Sequence, residues 1–255
     1  MTIIAVFNQK GGVGKTTTAL NLAAALARSE RTTYGIDLDP QAQFSAIAGI
    51  TANTGDDTVL SLFQRNRPLS ELVNESSSGV KVIPAHSELS KVDALFGKGF
   101  NVVNRLNTGL KVEGLGSKSN PVIIDCCPMI GVLSLNAVFA CDCLIVPISA
   151  DYLSAKGAMQ IDKTLKALEP VLKRRIKRRY LLTRFDTRRN MSLDILRMAE
   201  EKFGEDVCST KIAENVSLAE SPVLNKTIFL YAPSSRGAHD YDALLAELLA
   251  DGLIE

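Results

Sequence analysis

Gln9-Lys10-Gly11-Gly12-Val13-Gly14-Lys15-Thr16-Thr17-Thr18 decides how the rest of the chain is read. Gly14-Lys15-Thr16 closes a phosphate loop of the Gly-x-x-x-x-Gly-Lys-[Ser/Thr] kind, with two departures. Gln9 stands at the first Gly position, and Lys10 sits just ahead of Gly11-Gly12. The apolar run Ile3–Phe7 precedes the loop and the Ala- and Leu-rich run Ala19–Ala27 follows it, which is the strand–loop–helix setting such a loop requires. The chemistry follows from the residue types. Glycines let backbone N–H groups turn inward around phosphate oxygens, and the new helix adds the positive end of its dipole. Lys15 is expected to reach the β- and γ-phosphates and the Thr16 hydroxyl to ligate Mg²⁺.

Outward from this loop, short continuous apolar runs alternate with helical stretches. The candidate strands are Ile3–Phe7, Tyr34–Asp37, Val80–Pro84, Val122–Asp125, Leu144–Ile148 and Tyr180–Thr183. Most lack polar alternation, so both faces are expected to be covered, as in a parallel sheet between helix layers. Candidate helices are Thr16–Ser29, Val59–Phe63, Leu133–Ala140, Leu153–Leu172, Met191–Phe203 and Ala238–Ala250. The βαβα order predicts a doubly wound α/β fold: a mostly parallel sheet flanked by helices, with residues 1–255 as one domain. Gln64 to Asn120 is the least patterned region. Its Ser76–Gly79 and Gly114–Asn120 stretches are expected to be surface turns within that domain, because a candidate strand lies between them.

Hydrophobic content of 46% and charged content of 22% describe an ordinary soluble globular protein, and 255 residues suffice for a buried core. No stretch reaches the ~18 apolar residues of a membrane span, and the start of the chain does not read as a signal peptide. With the phosphate loop following Ile3–Phe7 directly, a helix-turn-helix operator-binding module, and with it specific repression, is not expected. The five cysteines (Cys126, Cys127, Cys141, Cys143, Cys208) are odd in number and lie beside apolar runs. Reduced, buried thiols in a cytosolic protein are the expectation.

Two carboxylate sites end candidate strands. Ile36-Asp37-Leu38-Asp39-Pro40-Gln41 follows the second, and Val122-Ile123-Ile124-Asp125 reads as a Walker B strand whose Asp holds Mg²⁺ opposite Thr16. From Lys173 to Arg189, nine of seventeen residues are basic and only Asp186 is acidic. Such clustering suits sequence-independent contact with a phosphate backbone, although a solvated basic helix end would read the same way.

Taken together, Lys10–Thr18, Asp37-Leu38-Asp39-Pro40-Gln41 and Ile123–Pro128 resemble the ParA branch of the ParA/MinD (deviant Walker A) ATPases. Ser134–Ala137, Val146-Pro147, Asn215–Pro222, Lys226, Tyr231–Pro233 and Gly237 fit the same pattern. The resemblance covers nearly all of the chain except roughly Gln64–Asn120. It implies ATP and Mg²⁺ as ligands, with nucleotide contacts from Lys10, Gly11, Gly12, Val13, Gly14, Lys15, Thr16 and Thr17. Around the base it implies Thr183, Arg184, Ala213 and Asn215; family members often have Pro where this chain has Ala213. Lys10 matches the signature lysine that crosses to a partner subunit's nucleotide, so Lys10, Lys15 and Asp39 are the implied catalytic set, with Asp39 acting on the attacking water. Thr16, Asp37 and Asp125 are the implied metal set.

The resemblance also implies an ATP-bound homodimer that binds nucleoid DNA non-specifically. A ParB-like or other cargo-adaptor protein would stimulate a slow intrinsic hydrolysis. Two positions often basic in the family read Glu214 and Ser217 here, so the DNA surface is expected to lean on Arg188, Arg189 and Lys211. A MinD-like membrane switch needs a basic amphipathic C-terminal helix, whereas Ala243–Glu255 carries Glu247, Asp251 and Glu255 and no Lys or Arg. A redox or metabolic ATPase of the same superfamily remains the other alternative. Against it, the Cys126-Cys127 and Cys141-x-Cys143 spacings match no iron–sulfur signature.

Overall fold

The computed structural model describes residues 2–97 and 99–254. Its strands are β1 (Ile3–Val6), β2 (Tyr34–Asp37), β3 (Asn74–Glu75), β4 (Lys81–Ile83), β5 (Val122–Asp125), β6 (Cys143–Ser149) and β7 (Lys177–Thr183). They form one sheet in the order β3-β4-β2-β5-β1-β6-β7. Every pairing is parallel except the short edge pair β3–β4.

The helices are α1 (Lys15–Arg28), α2 (Gln43–Ile47), α3 (Leu60–Arg65), α4 (Val92–Phe96), α5 (Phe100–Val103) and α6 (Arg105–Val112). They continue with α7 (Val132–Ala140), α8 (Tyr152–Leu172), α9 (Asn190–Phe203), α10 (Val216–Glu220), α11 (Ile228–Tyr231) and α12 (Arg236–Ala250). The doubly wound α/β class read from the sequence is the class observed.

Alternation along β1 shows how the sheet divides the core. Ile3 and Ala5 join an apolar cluster with α3, α6, α7, α8 and α9, while Ile4 and Val6 join a second with α1 and α12. All four are buried, as a central parallel strand requires. The register then sets the site. Val6 stands beside Asp125, Asp37 beside Asp125, and Ser149 beside Thr183. These strand ends therefore converge at one rim, where ligands bind in open parallel sheets.

The unpatterned region does hold structure that the sequence reading left out: the edge strand β3 and the short helices α4, α5 and α6. Buried Asn136 of α7 secures part of it, accepting the Leu106 N–H (2.9 Å) and donating to the Val102 carbonyl (2.9 Å). The basic run starts at the C-terminal end of α8, where Lys173 is the cap residue, and its second half enters a strand. Lys177-Arg178-Arg179 extends β7, and strand alternation sends Arg178 inward to Asp162 and Glu169 of α8.

Candidate nucleotide site

After β1 the chain is braced by Asn8, whose amide donates to the Pro147 carbonyl (2.6 Å) and whose Oδ1 accepts the Lys10 N–H (3.0 Å). Gly12 and Gly14 then adopt φ values of 76° and 83°, the left-handed region that favours glycine. A Cβ built on Gly11 or Gly12 would meet nothing within 4 Å, so this stretch of backbone faces open space. No side chain caps the N terminus of α1, and its first turn carries no acid. The opening N–H groups and dipole of α1 are thus left to an external anion.

From the far strand, Thr183 at the end of β7 donates to the Val13 carbonyl (2.9 Å) and fixes the loop from its side. Lys15 is 7% exposed, with Nζ donating to the Lys10 carbonyl (3.0 Å). Burial pulls its pKa below the ordinary value, against the attraction of Asp125 and Asp39. A buried ammonium held chiefly by a carbonyl is poised for a stronger, anionic partner.

The two strand-end carboxylates differ in what they hold. Asp37 is fully buried, and its oxygens already accept the Asp39 N–H (3.0 Å), the Ser45 N–H (2.9 Å) and the Ser45 hydroxyl (2.7 Å). Burial pushes its pKa up to about 6 despite those donors. Its oxygens thus shape the loop after β2, holding the Asp39 backbone and Ser45 in place. Asp125 is also fully buried, but among the described residues neither of its carboxylate oxygens has a partner at hydrogen-bond geometry. Burial and the neighbouring Asp37 push its pKa well up, while Thr16 and Lys15 favour its charged form. An orphaned buried carboxylate beside Thr16 fits a divalent cation, which needs few protein ligands when phosphates complete its shell.

A cavity of about 490 Å³ opens over the loop. Gly11, Gly12, Gly14, Lys15, Thr16, Thr17 and Asp39 line one side, and Thr183, Arg184, Ala213 and Asn215 the other. Asp39 is half-buried, its Oδ1 accepting the Gln41 N–H (2.9 Å). Lys10 and Val13 lie outside the lining. Val13 is buried, and the Lys10 ammonium is bound to Asp151 Oδ1 at 2.5 Å.

Sequence reading did not place Gln41, Gln43, Pro128, Leu218, Ala219 and Tyr241 at the nucleotide, although all line the cavity. Gln41 and Leu218 sit inside motifs already singled out. Tyr241 reaches the site only through the packing of α12 on α1, where its hydroxyl meets that of Thr18 (3.2 Å). Asp240 of the same helix accepts the Ala213 N–H (2.8 Å) and fixes the far wall.

The residues expected at DNA lie apart from the cavity floor, and all are engaged. Arg188 pairs with Asp186 (2.8 Å), Arg189 with Glu214 (2.9 Å), and Lys211 Nζ donates to the Ser209 carbonyl (2.9 Å). The cysteines are free and buried. Burial pushes Cys127 up to about 11 and Cys141 and Cys143 up to about 12. Among the described residues, no group of three or more His, Cys, Asp or Glu side chains is arranged to hold a metal ion.

A polyphosphate with its counter-cation satisfies buried Lys15 and Asp125 together, which puts the chain in the phosphate-loop nucleotide-binding class of α/β proteins. Comparison with known proteins narrows that class. The AAA domain family matches residues 1–178. A chromosome partitioning protein ParA from Myxococcus xanthus is 35% identical over 249 residues, covering 97% of this chain and 87% of the relative. The chromosome-partitioning ATPase Soj of Thermus thermophilus is 36% identical over 248 residues, covering 97% and 95%.

Among solved structures, cobyrinic acid a,c-diamide synthase from Mycobacterium smegmatis, bound to an ATP analogue and magnesium, superposes with a TM-score of 0.84. It is 27% identical, with 99% of this chain and 96% of that one covered. The chain belongs to the ParA/Soj family of phosphate-loop ATPases.

Proposed function

We propose that the chain is a dimerising, ATP-switched ATPase that partitions or positions a large cargo along DNA. The observation that carries this reading is Lys10. Its ammonium extends from the phosphate loop yet stands outside the loop's own cavity, held by the partly exposed Asp151. A cation so placed is available to the nucleotide of a second copy, where it would neutralise charge developing on the phosphates and make hydrolysis depend on dimerisation.

Within one subunit, the loop backbone, Lys15 and Thr17 cradle the phosphates of ATP, and Arg184, Ala213 and Asn215 border the base. Thr16 and Asp125 are the residues that would hold Mg²⁺, which when bound draws charge from the phosphate oxygens. Asp39, on the cavity wall, orients the attacking water and takes its proton. Asp37 acts at one remove, by fixing the Asp39 backbone and Ser45.

In this reading the ATP-bound homodimer holds non-specific nucleoid DNA through Arg188, Arg189 and Lys211, and a ParB-like or other cargo-adaptor protein triggers release by stimulating hydrolysis. Its place is the cytoplasm, on the nucleoid. A membrane switch finds less support. Tyr241, Leu244, Leu245 and Leu248 of α12 are buried, and the Glu247 carboxylate accepts the N–H groups of Ser209 (2.6 Å) and Thr210 (2.7 Å). Among the described residues no helix is long and apolar enough to cross a membrane.

The test is retention on random-sequence duplex DNA together with sedimentation, using non-hydrolysable ATP and Mg²⁺. The wild type is expected to dimerise and to be retained, and Lys10→Ala to do neither. DNA retention that survives Lys10→Ala, or the absence of any dimer, overturns the reading.

A further inference from the structure

Glu214 sits where two arginines converge. Its Oε1 accepts from Arg184 Nη2 (3.0 Å) and Nε (3.3 Å), and its Oε2 accepts from Arg189 Nη1 (2.9 Å). The backbone beneath is pinned. The Phe185 N–H donates to the Ile212 carbonyl (3.0 Å), and the Glu214 N–H donates to the Phe185 carbonyl (3.1 Å). Phe185 and Ala213 thus form a parallel bridge that sets the carboxylate between the two guanidinium groups. Arg184 is held at φ 51°, an uncommon conformation for a residue with a side chain, which aims it across the turn. Asp186 does the same for its neighbours, pairing with Arg188 (2.8 Å) and with Arg189 Nε (3.5 Å).

The two exposed arginines gathered on Glu214 thus carry their own counter-ion. We propose that Glu214 is an intramolecular competitor for Arg184 and Arg189, setting how tightly this surface grips the phosphate backbone of duplex DNA. The inference rests on the DNA reading above and adds the element that tunes it. Exposed ion pairs of this kind are weak. A phosphate array gains instead from released counter-ions, roughly one for each phosphate neutralised. DNA therefore displaces the carboxylate, but each displaced pair subtracts from the affinity. A neutral side chain at position 214 would remove that opposition.

The experiment uses the full chain saturated with non-hydrolysable ATP and Mg²⁺, with saturation verified for every variant, because Glu214 and Arg184 both line the nucleotide cavity. Binding to random-sequence duplex DNA is measured across a salt series for wild type, Glu214→Gln, Arg184→Ala/Arg189→Ala and the triple variant. Glu205→Gln, at an exposed acid just past α9, controls for net charge. Glu214→Gln is expected to bind several-fold tighter at moderate salt and to steepen the slope of log affinity against log salt by about one to two. The gain should vanish when both arginines are alanine, and Glu205→Gln should show none.

A gain that persists without the arginines, or that Glu205→Gln matches, reduces the effect to net charge and overturns the proposal. Wild-type binding that Glu214→Gln leaves unchanged also overturns it while the DNA reading stands. If neither protein binds even at low salt, both fall together.

Discussion

The Lys10 ammonium lies 2.5 Å from the carboxylate of Asp151, joining the phosphate loop to the residue that opens α8. Asp151 also accepts the Ser154 N–H (3.0 Å) and the hydroxyls of Ser149 (2.6 Å) and Ser154 (2.8 Å). Partial burial works against its charge, but Lys10 and the serine donors outweigh it and hold its carboxyl far below the usual range. If Lys10 serves a second subunit, this pair is what it must leave. Asp151→Asn keeps an acceptor to cap α8 and removes the charge that holds the ammonium. The variant is expected to dimerise at several-fold lower protein concentration with non-hydrolysable ATP, read by sedimentation velocity. An unchanged dimerisation constant would mean that Asp151 is no restraint.

Lys15 is the second cation of the loop, and its burial makes a separable prediction. Lys15→Met fills the same space without a desolvated charge, so the nucleotide-free protein should melt no lower than wild type. Nucleotide affinity should fall by roughly 10- to 100-fold, the loss of about 1.5–3 kcal/mol for a hydrogen bond to a charged group. Calorimetric titration with an ATP analogue checks the second part and differential scanning the first. A variant that melts earlier and still binds normally would reverse both assignments.

Asp37 and Asp39 are two residues apart and should fail in different ways. Asp39→Ala is expected to keep ATP bound and to lower phosphate release by about 10²–10⁴-fold, the usual contribution of a positioned base. Asp37→Ala leaves the Asp39 N–H and both Ser45 donors without their acceptor, so its loss should appear first as stability, about 1–3 kcal/mol in urea unfolding. Phosphate release with normal kinetics in Asp39→Ala would remove it from the chemistry.

How much of this the sequence disclosed follows from how local each feature is. The phosphate loop, α1 and the Asp125 strand end are contiguous patterns whose geometry follows from neighbours in the chain, and they were legible. Lys10 was visible but its partner was not, because Asp151 lies 141 residues away and reads only as an ordinary helix cap. Asp37 and Asp39 were given separate roles by the resemblance, but the hold of Asp37 on Ser45 was not visible, because Ser45 lies eight residues on in α2. Which way each charge of the basic run faces was not legible, because its charges are sorted by β7, whose Lys-Arg-Arg start lacks apolar strand character. Arg178 is stabilised inside by Asp162 and Glu169, and Arg179 is drawn to Asp206 and Asp251. Helices α4 to α6 escaped notice because each is too short to establish an apolar period.

The buried pair behind β7 gives the pH prediction. Asp162 Oδ1 accepts from Arg178 Nη1 (3.1 Å) and the Tyr180 hydroxyl (3.1 Å), and Oδ2 pairs with Lys166 (2.8 Å). Partial burial opposes the charge, but Lys166, Tyr180 and Arg178 prevail and hold its pKa below the ordinary 3.8. A carboxylate depressed in the folded state contributes stability that is present above its unfolded value of 3.8 and is lost as pH falls through the folded value. Asp162→Asn leaves buried Arg178 with Glu169 alone, so the cost at pH 7 should be about 3 kcal/mol, the lower end for breaking a buried pair. Urea unfolding of both proteins from pH 7 down to pH 3 is expected to show the difference narrowing below pH 3.8, because acid then removes from the wild type the charge that the variant already lacks. A difference of constant size across that range would show that Asp162 acts through packing and not through its charge.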